Sequence, residues 1–189
     1  QDYGYIKHGE QKNIILTGIG EAVIEGNSDD LLLFHNMRTV EIDNISFINH
    51  GLNCIGMSFC HNVKIMNITI KNDGLKEEQV GVFIRRGCHQ LIIDNINGSK
   101  GKHLIALRSQ QERLEYLVFE QNEEISGAVL SNLHFTESKD KCVYLYAKGR
   151  IYDISKEKNV IAYVDEVFTQ EDRRNNIKNI LIEKIEGQA

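Results

Sequence analysis

Val63-Lys64-Ile65-Met66-Asn67-Ile68 decides how this chain is read. Its order is apolar, any residue, apolar, any, Asn, apolar. Taking the Asn position as a frame, copies of the phrase centre on Gly18, Asn44, Asn67, Asn95, Asn132 and Lys184. The apolar positions around these frames are Ile14/Leu16/Ile19, Val40/Ile42/Ile45, Val63/Ile65/Ile68, Leu91/Ile93/Ile96, Ala128/Leu130/Leu133 and Ile180/Ile182/Ile185. The alternation has period two and the apolar residues are mostly β-branched, which favours strand over helix. Self-similarity of this kind implies stacked units, because one unit alone cannot bury its apolar face.

Working outward, the spacings between frame positions are 26, 23, 28, 37 and 52 residues. The first three match one turn of a solenoid, and the last two predict insertions or a poorly matching turn. A second short apolar run accompanies each phrase: Leu31 to Phe34, Ile55 to Phe59, Gly81 to Ile84, Leu104 to Leu107 and Val143 to Tyr146. Each turn therefore carries at least two strands, and no helix is needed to return the chain. Leucine-rich repeats compete for this pattern, but their apolar positions are mainly Leu and their Asn falls three places after the last strand Leu. Here Ile and Val dominate, and Asn44, Asn67 and Asn95 fall two places after Ile42, Ile65 and Ile93. The pattern predicts an all-β right-handed parallel β-helix solenoid of roughly six to seven turns with loop insertions.

In such a stack successive strands lie about 4.8 Å apart, so like residues lie on like. The repeated Asn is expected to form a ladder of side-chain amides at a bend, and the Ile/Val/Leu columns to face inward. These are structural roles, and no chemistry is assigned to them. Ser109 to Glu124 is charged but contains Leu114, Leu117, Val118 and Phe119, the pattern of a short helix. Lys148 to Asn176 reads as an irregular turn followed by a charged loop over Gln170 to Asn176.

A chain of 189 residues with 41% hydrophobic content can bury one core, so residues 1–189 are read as a single domain. The net charge of -5, with both signs interspersed, argues against a nucleic-acid partner. No apolar stretch approaches the roughly 18 residues needed to cross a bilayer, so no membrane partner is expected. Cys54, Cys60, Cys88 and Cys142 lie in or beside apolar runs without a CxxC spacing and read as buried free thiols. Gln1 in place of Met implies a trimmed start, and the compartment stays open, leaning extracellular or cell-surface.

From about Asn13 to Ile154 the chain resembles the polygalacturonase-like glycoside hydrolases of the pectin-lyase-like β-helix superfamily. Asn13-Ile14-Ile15-Leu16-Thr17-Gly18 and Ala22-Val23-Ile24-Glu25-Gly26-Asn27 resemble that family's opening turn. Cys60-His61-Asn62-Val63-Lys64-Ile65-Met66-Asn67-Ile68-Thr69-Ile70 resembles its middle turns. Gly81-Val82-Phe83-Ile84-Arg85-Arg86-Gly87-Cys88, with Ile105-Ala106-Leu107-Arg108, is similar to the two turns that carry its active site.

The resemblance implies an inverting hydrolase, in which one carboxylic acid protonates the leaving oxygen while carboxylate activates water across the sugar. Family motifs Asn-Thr-Asp-Gly and Gly-Asp-Asp supply those acids. Here they match Glu78-Gln79-Val80-Gly81 and Gly101-Lys102-His103, so Val80, Lys102 and His103 stand where the acids belong. A Lys replaces neither acid nor base at neutral pH without a strongly depressed pKa. The family's Arg-Ile-Lys survives in part as Arg150-Ile151-Tyr152. Asp73, Glu77 or Glu78 could substitute as acids from the same loop. An elimination using Arg85, Arg108 or Lys102 as base lacks an acidic Ca²⁺ cluster. Enzyme status is therefore left open.

Alternation gives a candidate surface. If Val82/Ile84, Ile105/Leu107 and Val143/Leu145 face inward, then Phe83, Arg85, Ala106, Arg108, Tyr144 and Tyr146 face outward, with Gly56 and Ser58 on the turn below. Aromatic rings stack on sugar faces and Arg forks grip carboxylates. In the resembling enzymes this face is where the polysaccharide lies, so Phe83, Arg85, Arg108, Tyr144 and Tyr146, with Arg150 from the Arg-Ile-Lys match, are the expected substrate-binding residues, for an oligosaccharide or polysaccharide of acidic character. The plainer alternative is an exposed, solvated sheet with the two guanidiniums splayed apart. Cys60-His61 and Cys88-His89 share a repeat phase, but their spacing is that of no known Cys/His module. Asp29-Asp30 reads as a polar turn. No metal and no cofactor are expected. The alternatives kept open are a hydrolase or lyase with a shifted catalytic set, and a structural or assembly module.

Overall fold

The computed structural model of the protein describes residues 12–26, 30–49, 51–72, 78–109, 124–147, 150–155, 160–164 and 176–188. Its strands are β1 (Lys12–Thr17), β2 (Val23–Glu25), β3 (Asp30–His35), β4 (Met37–Ile48), β5 (Asn53–Ser58), β6 (His61–Lys71) and β7 (Val80–Arg85). There follow β8 (His89–Gly101), β9 (His103–Ser109), β10 (Ile125–Ser138), β11 (Val143–Ala147), β12 (Ile151–Ser155), β13 (Val160–Val164) and β14 (Ile177–Gln188). No helix occurs among the described residues, so none there is long and apolar enough to cross a membrane.

The strands form two sheets, and the pairings within both are parallel. One runs β1-β4-β6-β8-β10-β14-β12 with β2 also on β4, and the other β13-β11-β9-β7-β5-β3. From β3 onward, consecutive strands alternate between the sheets. This all-β, all-parallel arrangement is consistent with a parallel β-helix. The repeated phrases supply the first sheet, and the accompanying apolar runs supply the second.

Register follows the repeat. Ile42 pairs with Ile65, Ile65 with Ile93, Ile93 with Leu130 and Leu130 with Ile182. One bend later, Ile45, Ile68, Ile96, Leu133 and Ile185 pair in the same succession. All ten are buried. The second sheet contributes Ile55, Val82, Ile105 and Val143 to the same core. Within it, Gly98 leaves room that a side chain would take from Leu104 and from Phe135, whose Cδ2 would lie 3.1 Å from an added Cβ.

The bend itself explains the Asn. Asn44, Asn67, Asn95 and Asn132 have φ of 56, 54, 54 and 51°, the left-handed region that Asn tolerates better than most residues. Lys184 adopts the same conformation, at 53°. The expected amide ladder holds where Asn95 Nδ2 donates to Asn67 Oδ1 at 2.8 Å. Elsewhere the acceptor differs. Asn67 donates to Asp43 Oδ1 at 2.8 Å, Asn132 to Asp94 Oδ1 at 2.7 Å, and Asn44 to the Gly18 carbonyl at 2.9 Å. A second column of bends, Asn62, Gln90, Gly127 and Asn179, also has positive φ, but its mixed residue types hide it in the sequence.

Two expectations change. Ile19 is not a core residue but 94% exposed, because the chain leaves the sheet after Gly18. It returns at Ala22, whose carbonyl accepts the Ser46 N–H at 2.9 Å and whose side chain packs on the core. The stretch after Lys148 contains two short strands, β12 and β13, rather than only irregular chain. The last strand, β14, lies between β10 and β12, which accounts for the longest spacing in the repeat. The expected helix and charged loop fall largely on 110–123 and 165–175, outside the described residues.

Candidate functional site

The second sheet brings the predicted outward residues together. Gly56, Phe83, Ala106 and Tyr144 pair in one lateral row across β5, β7, β9 and β11. Arg85, Arg108 and Tyr146 form the next row. Phe83, Tyr144, Arg85 and Tyr146 are half-buried and Arg108 is exposed, whereas their neighbours Ile84, Leu107 and Leu145 are fully buried. Arg150 stands apart: it precedes β12 in the first sheet, where its N–H donates to Asn176 Oδ1 at 2.8 Å.

Within the two rows, the cations lie on the rings. Arg85 Cζ is 4.9 Å from the Phe83 ring centroid, and Arg108 Cζ is 5.4 Å from that of Tyr146. Each ring has an electron-rich face that attracts a guanidinium. Arg85 and Arg108 pair directly as a like-charge couple, as the alternation predicted. A carboxylate already stands beside one of them, with Asp30 Oδ2 3.7 Å from Arg85 Nη2. Arg85 Nε is buried without a hydrogen-bond partner.

The three positions that match the family's acids gather at the start of the same strands. Val80 is half-buried and pairs with His103 across β7 and β9. His103 is 5% exposed, and its ring lies flat on Tyr144, with centroids 4.8 Å apart and planes 8° from parallel. Its Nδ1 donates to the Lys141 carbonyl at 2.9 Å, since a carbonyl can only accept. The basic nitrogen of the neutral ring is therefore Nε2, 3.9 Å from Asp140 Oδ2. Burial lowers the His103 pKa, against smaller opposing effects of the Lys141 carbonyl and Asp140.

Lys102 reaches both oxygens of Glu78, at 2.8 and 2.7 Å. That hydrogen bond raises its pKa, opposite to the direction that proton abstraction at neutral pH requires. Asp30, Glu78 and Asp140 thus each lie beside a basic side chain: Arg85, Lys102 and His103 respectively. Asp73 and Glu77 are outside the described residues.

Cys60-His61 and Cys88-His89 do lie on adjacent strands, but on two sides of the wall. The cysteines are buried, with the Cys60 N–H donating to Cys88 Sγ at 3.5 Å, while the half-buried imidazoles stack 5.2 Å apart. Among the described residues no group of three or more His, Cys, Asp or Glu is arranged to hold a metal ion. The four thiols are free and buried. Burial pushes Cys142 up to about 12 and raises Cys54 and Cys88, which keeps those thiols protonated.

No family model matches the chain, and neither a curated protein nor a solved structure matches it.

Period-two counting misses Asp30 and His103 as members of this face. Four strands of the second sheet, β5, β7, β9 and β11, carry consecutive buried residues at or just before their start, among them Cys54/Ile55, Gly81/Val82, Leu104/Ile105 and Cys142/Val143. At one such point the N–H groups of Leu104 and Ile105 both donate to the Cys142 carbonyl, at 3.0 and 3.1 Å. This local irregularity reverses the alternation, as a bulge does. Residues counted as inward then share a face with Tyr144. The doubled apolar residues were visible, but not which way the chain would turn there. Asp30, read as part of a polar turn, instead opens β3 and pairs with Asn53.

Proposed function

We propose that the chain coils as a right-handed parallel β-helix of roughly six to seven turns, a handedness expected of nearly all parallel crossovers. We further propose that the outer face of its second sheet binds an acidic oligosaccharide or polysaccharide without the hydrolytic acid set of polygalacturonases. One observation carries the binding reading: Phe83 and Tyr144 lie in one row, and Arg85, Arg108 and Tyr146 in the adjoining row, of three neighbouring strands. Rings supply the apolar platform for a sugar face, and the guanidiniums supply paired donors for carboxylate. The raised pKa of Lys102 and the absence of a carboxylate at Val80 weigh against hydrolysis by the family's route.

Titration calorimetry with a defined oligogalacturonate tests this reading. The Arg85→Ala/Arg108→Ala variant is expected to bind at least tenfold more weakly, since a hydrogen bond to a charged group contributes about 1.5–3 kcal/mol. Unchanged affinity in that variant discards the proposed face. New reducing ends, or the ultraviolet absorbance of an unsaturated sugar, would move the protein into the hydrolase or lyase class.

An assembly module is the second reading. It is favoured by the exposed apolar residues at the β1–β3 end, where Ile15 is 69%, Val23 53% and Leu33 55% exposed. Edge strands of this kind invite pairing. Sedimentation over a concentration series distinguishes it: a monomer at every concentration would remove self-assembly from consideration.

A further inference from the structure

Asp30 occupies an unusual place on the candidate face. It opens β3, and its Oδ1 accepts a hydrogen bond from Asn53 Nδ2 on the adjacent strand at 2.6 Å. Its other oxygen lies 3.7 Å from Arg85 Nη2, one strand further on. Between them is Gly56, and an added Cβ there would sit 3.6 Å from the Asp30 carboxyl. The carboxylate therefore leans toward Gly56, the residue of the Phe83 row without a side chain. The side chain of Asp30 is 18% exposed and that of Arg85 33% exposed.

Arg85 is incompletely used by this contact. A guanidinium grips a carboxylate best through two parallel N–H···O bonds of about 2.7–2.9 Å. Here one nitrogen meets one oxygen at a longer distance, and Nε has no acceptor. On the next strand Arg108 is exposed and lies against Tyr146. The two like-charged neighbours thus differ in exposure: Arg85, with Asp30 at its side, is half-buried, and Arg108 is exposed.

We propose that Asp30 is an internal competitor for acidic ligands, standing where a sugar carboxylate would meet Arg85. This rests on the reading of the face as a binder of acidic saccharides. The Phe83/Arg85 end takes an acidic unit only when Asp30 gives way, and otherwise favours a neutral one. Asp30 is a specificity-determining residue and takes no part in any bond making.

The test compares wild type, Asp30→Asn, Arg85→Ala and the double variant, binding a defined oligogalacturonate and a neutral cello-oligosaccharide of equal length. Asp30→Asn is expected to bind the oligogalacturonate roughly three- to fivefold more tightly, the range of a partly exposed ion pair, with the neutral sugar unchanged. Arg85→Ala is expected to abolish the gain in the Asp30→Asn background and to cost more there than in wild type, a coupling that a double-mutant cycle reads directly. Should Asp30→Asn fail to fold, Asp30→Ser removes the charge and keeps an acceptor for Asn53. If wild type binds and loss of the Asp30 charge leaves affinity equal or lower, the competitor is overturned while the binding face stands. If only the variant binds, the competitor is upheld in its strongest form. If neither binds, both proposals fall together.

Discussion

The inward columns of the first sheet and the outward rows of the second obey opposite rules. Ile42, Ile65, Ile93, Leu130 and Ile182 repeat one chemistry along the stack, and every one is buried. Gly56, Phe83, Ala106 and Tyr144 occupy equivalent positions yet range from no side chain to a phenol ring. Repetition is what a core needs, because each strand meets the same environment above and below. A face that distinguishes one end of a ligand from the other needs the reverse. The departures from the repeat are thus more informative about function than the repeat itself.

The contrast can be broken by mutation, and the largest effect is expected in the columns. Ile65→Ala should lower unfolding free energy by about 2–5 kcal/mol, read by urea denaturation, because a fully buried site in a packed column cannot collapse easily. Asn67→Ala should cost less, about 1–2 kcal/mol, through its left-handed backbone and its bonds to Asp43 and Asn95. Asn67→Gly, which relieves the backbone conformation, should recover part of that loss.

The pH response sharpens the comparison on the outer walls. His35, His89 and His103 all have lowered pKa values, chiefly through burial. The unfolded chain then binds more protons than the folded one below the ordinary histidine value of about 6.5. Stability should be level above that pH and fall as pH drops through it toward the folded-state values. Melting temperatures at a series of pH values check this, and His103→Gln should flatten part of the slope. The smallest effect belongs to the outward rows: Arg108→Ala should change stability by no more than about 0.5 kcal/mol in the same denaturation assay.

Legibility in the sequence follows the same division. The pairing of Ile65 with Ile93 and the bend at Asn67 could be read because the residues that cause them recur. The bend at Gln90 and Gly127 could not, since backbone torsion there is imposed by the stack on unlike side chains. At the candidate site, Phe83, Arg85, Arg108, Tyr144 and Tyr146 were found by alternation, which holds along regular strand. His103 escaped because the consecutive buried residues Leu104 and Ile105 interrupt that alternation, and Asp30 because its stretch reads as a polar turn. Arg150 was grouped with them by motif, and strand order instead sets it beside β14.

The position of β14 has a consequence for how the chain matures. Its two flanking strands emerge earlier in synthesis, and one of them, β12, pairs among the described strands only with β14. Until β14 is made, the edges of β10 and β12 that it joins wait open, and its contact with β10 spans a long separation along the chain. Long-range parallel pairing is slow. A nascent or truncated product ending after β13 would carry a vacant slot shaped for one strand, which a synthetic peptide of residues 176–188 could fill.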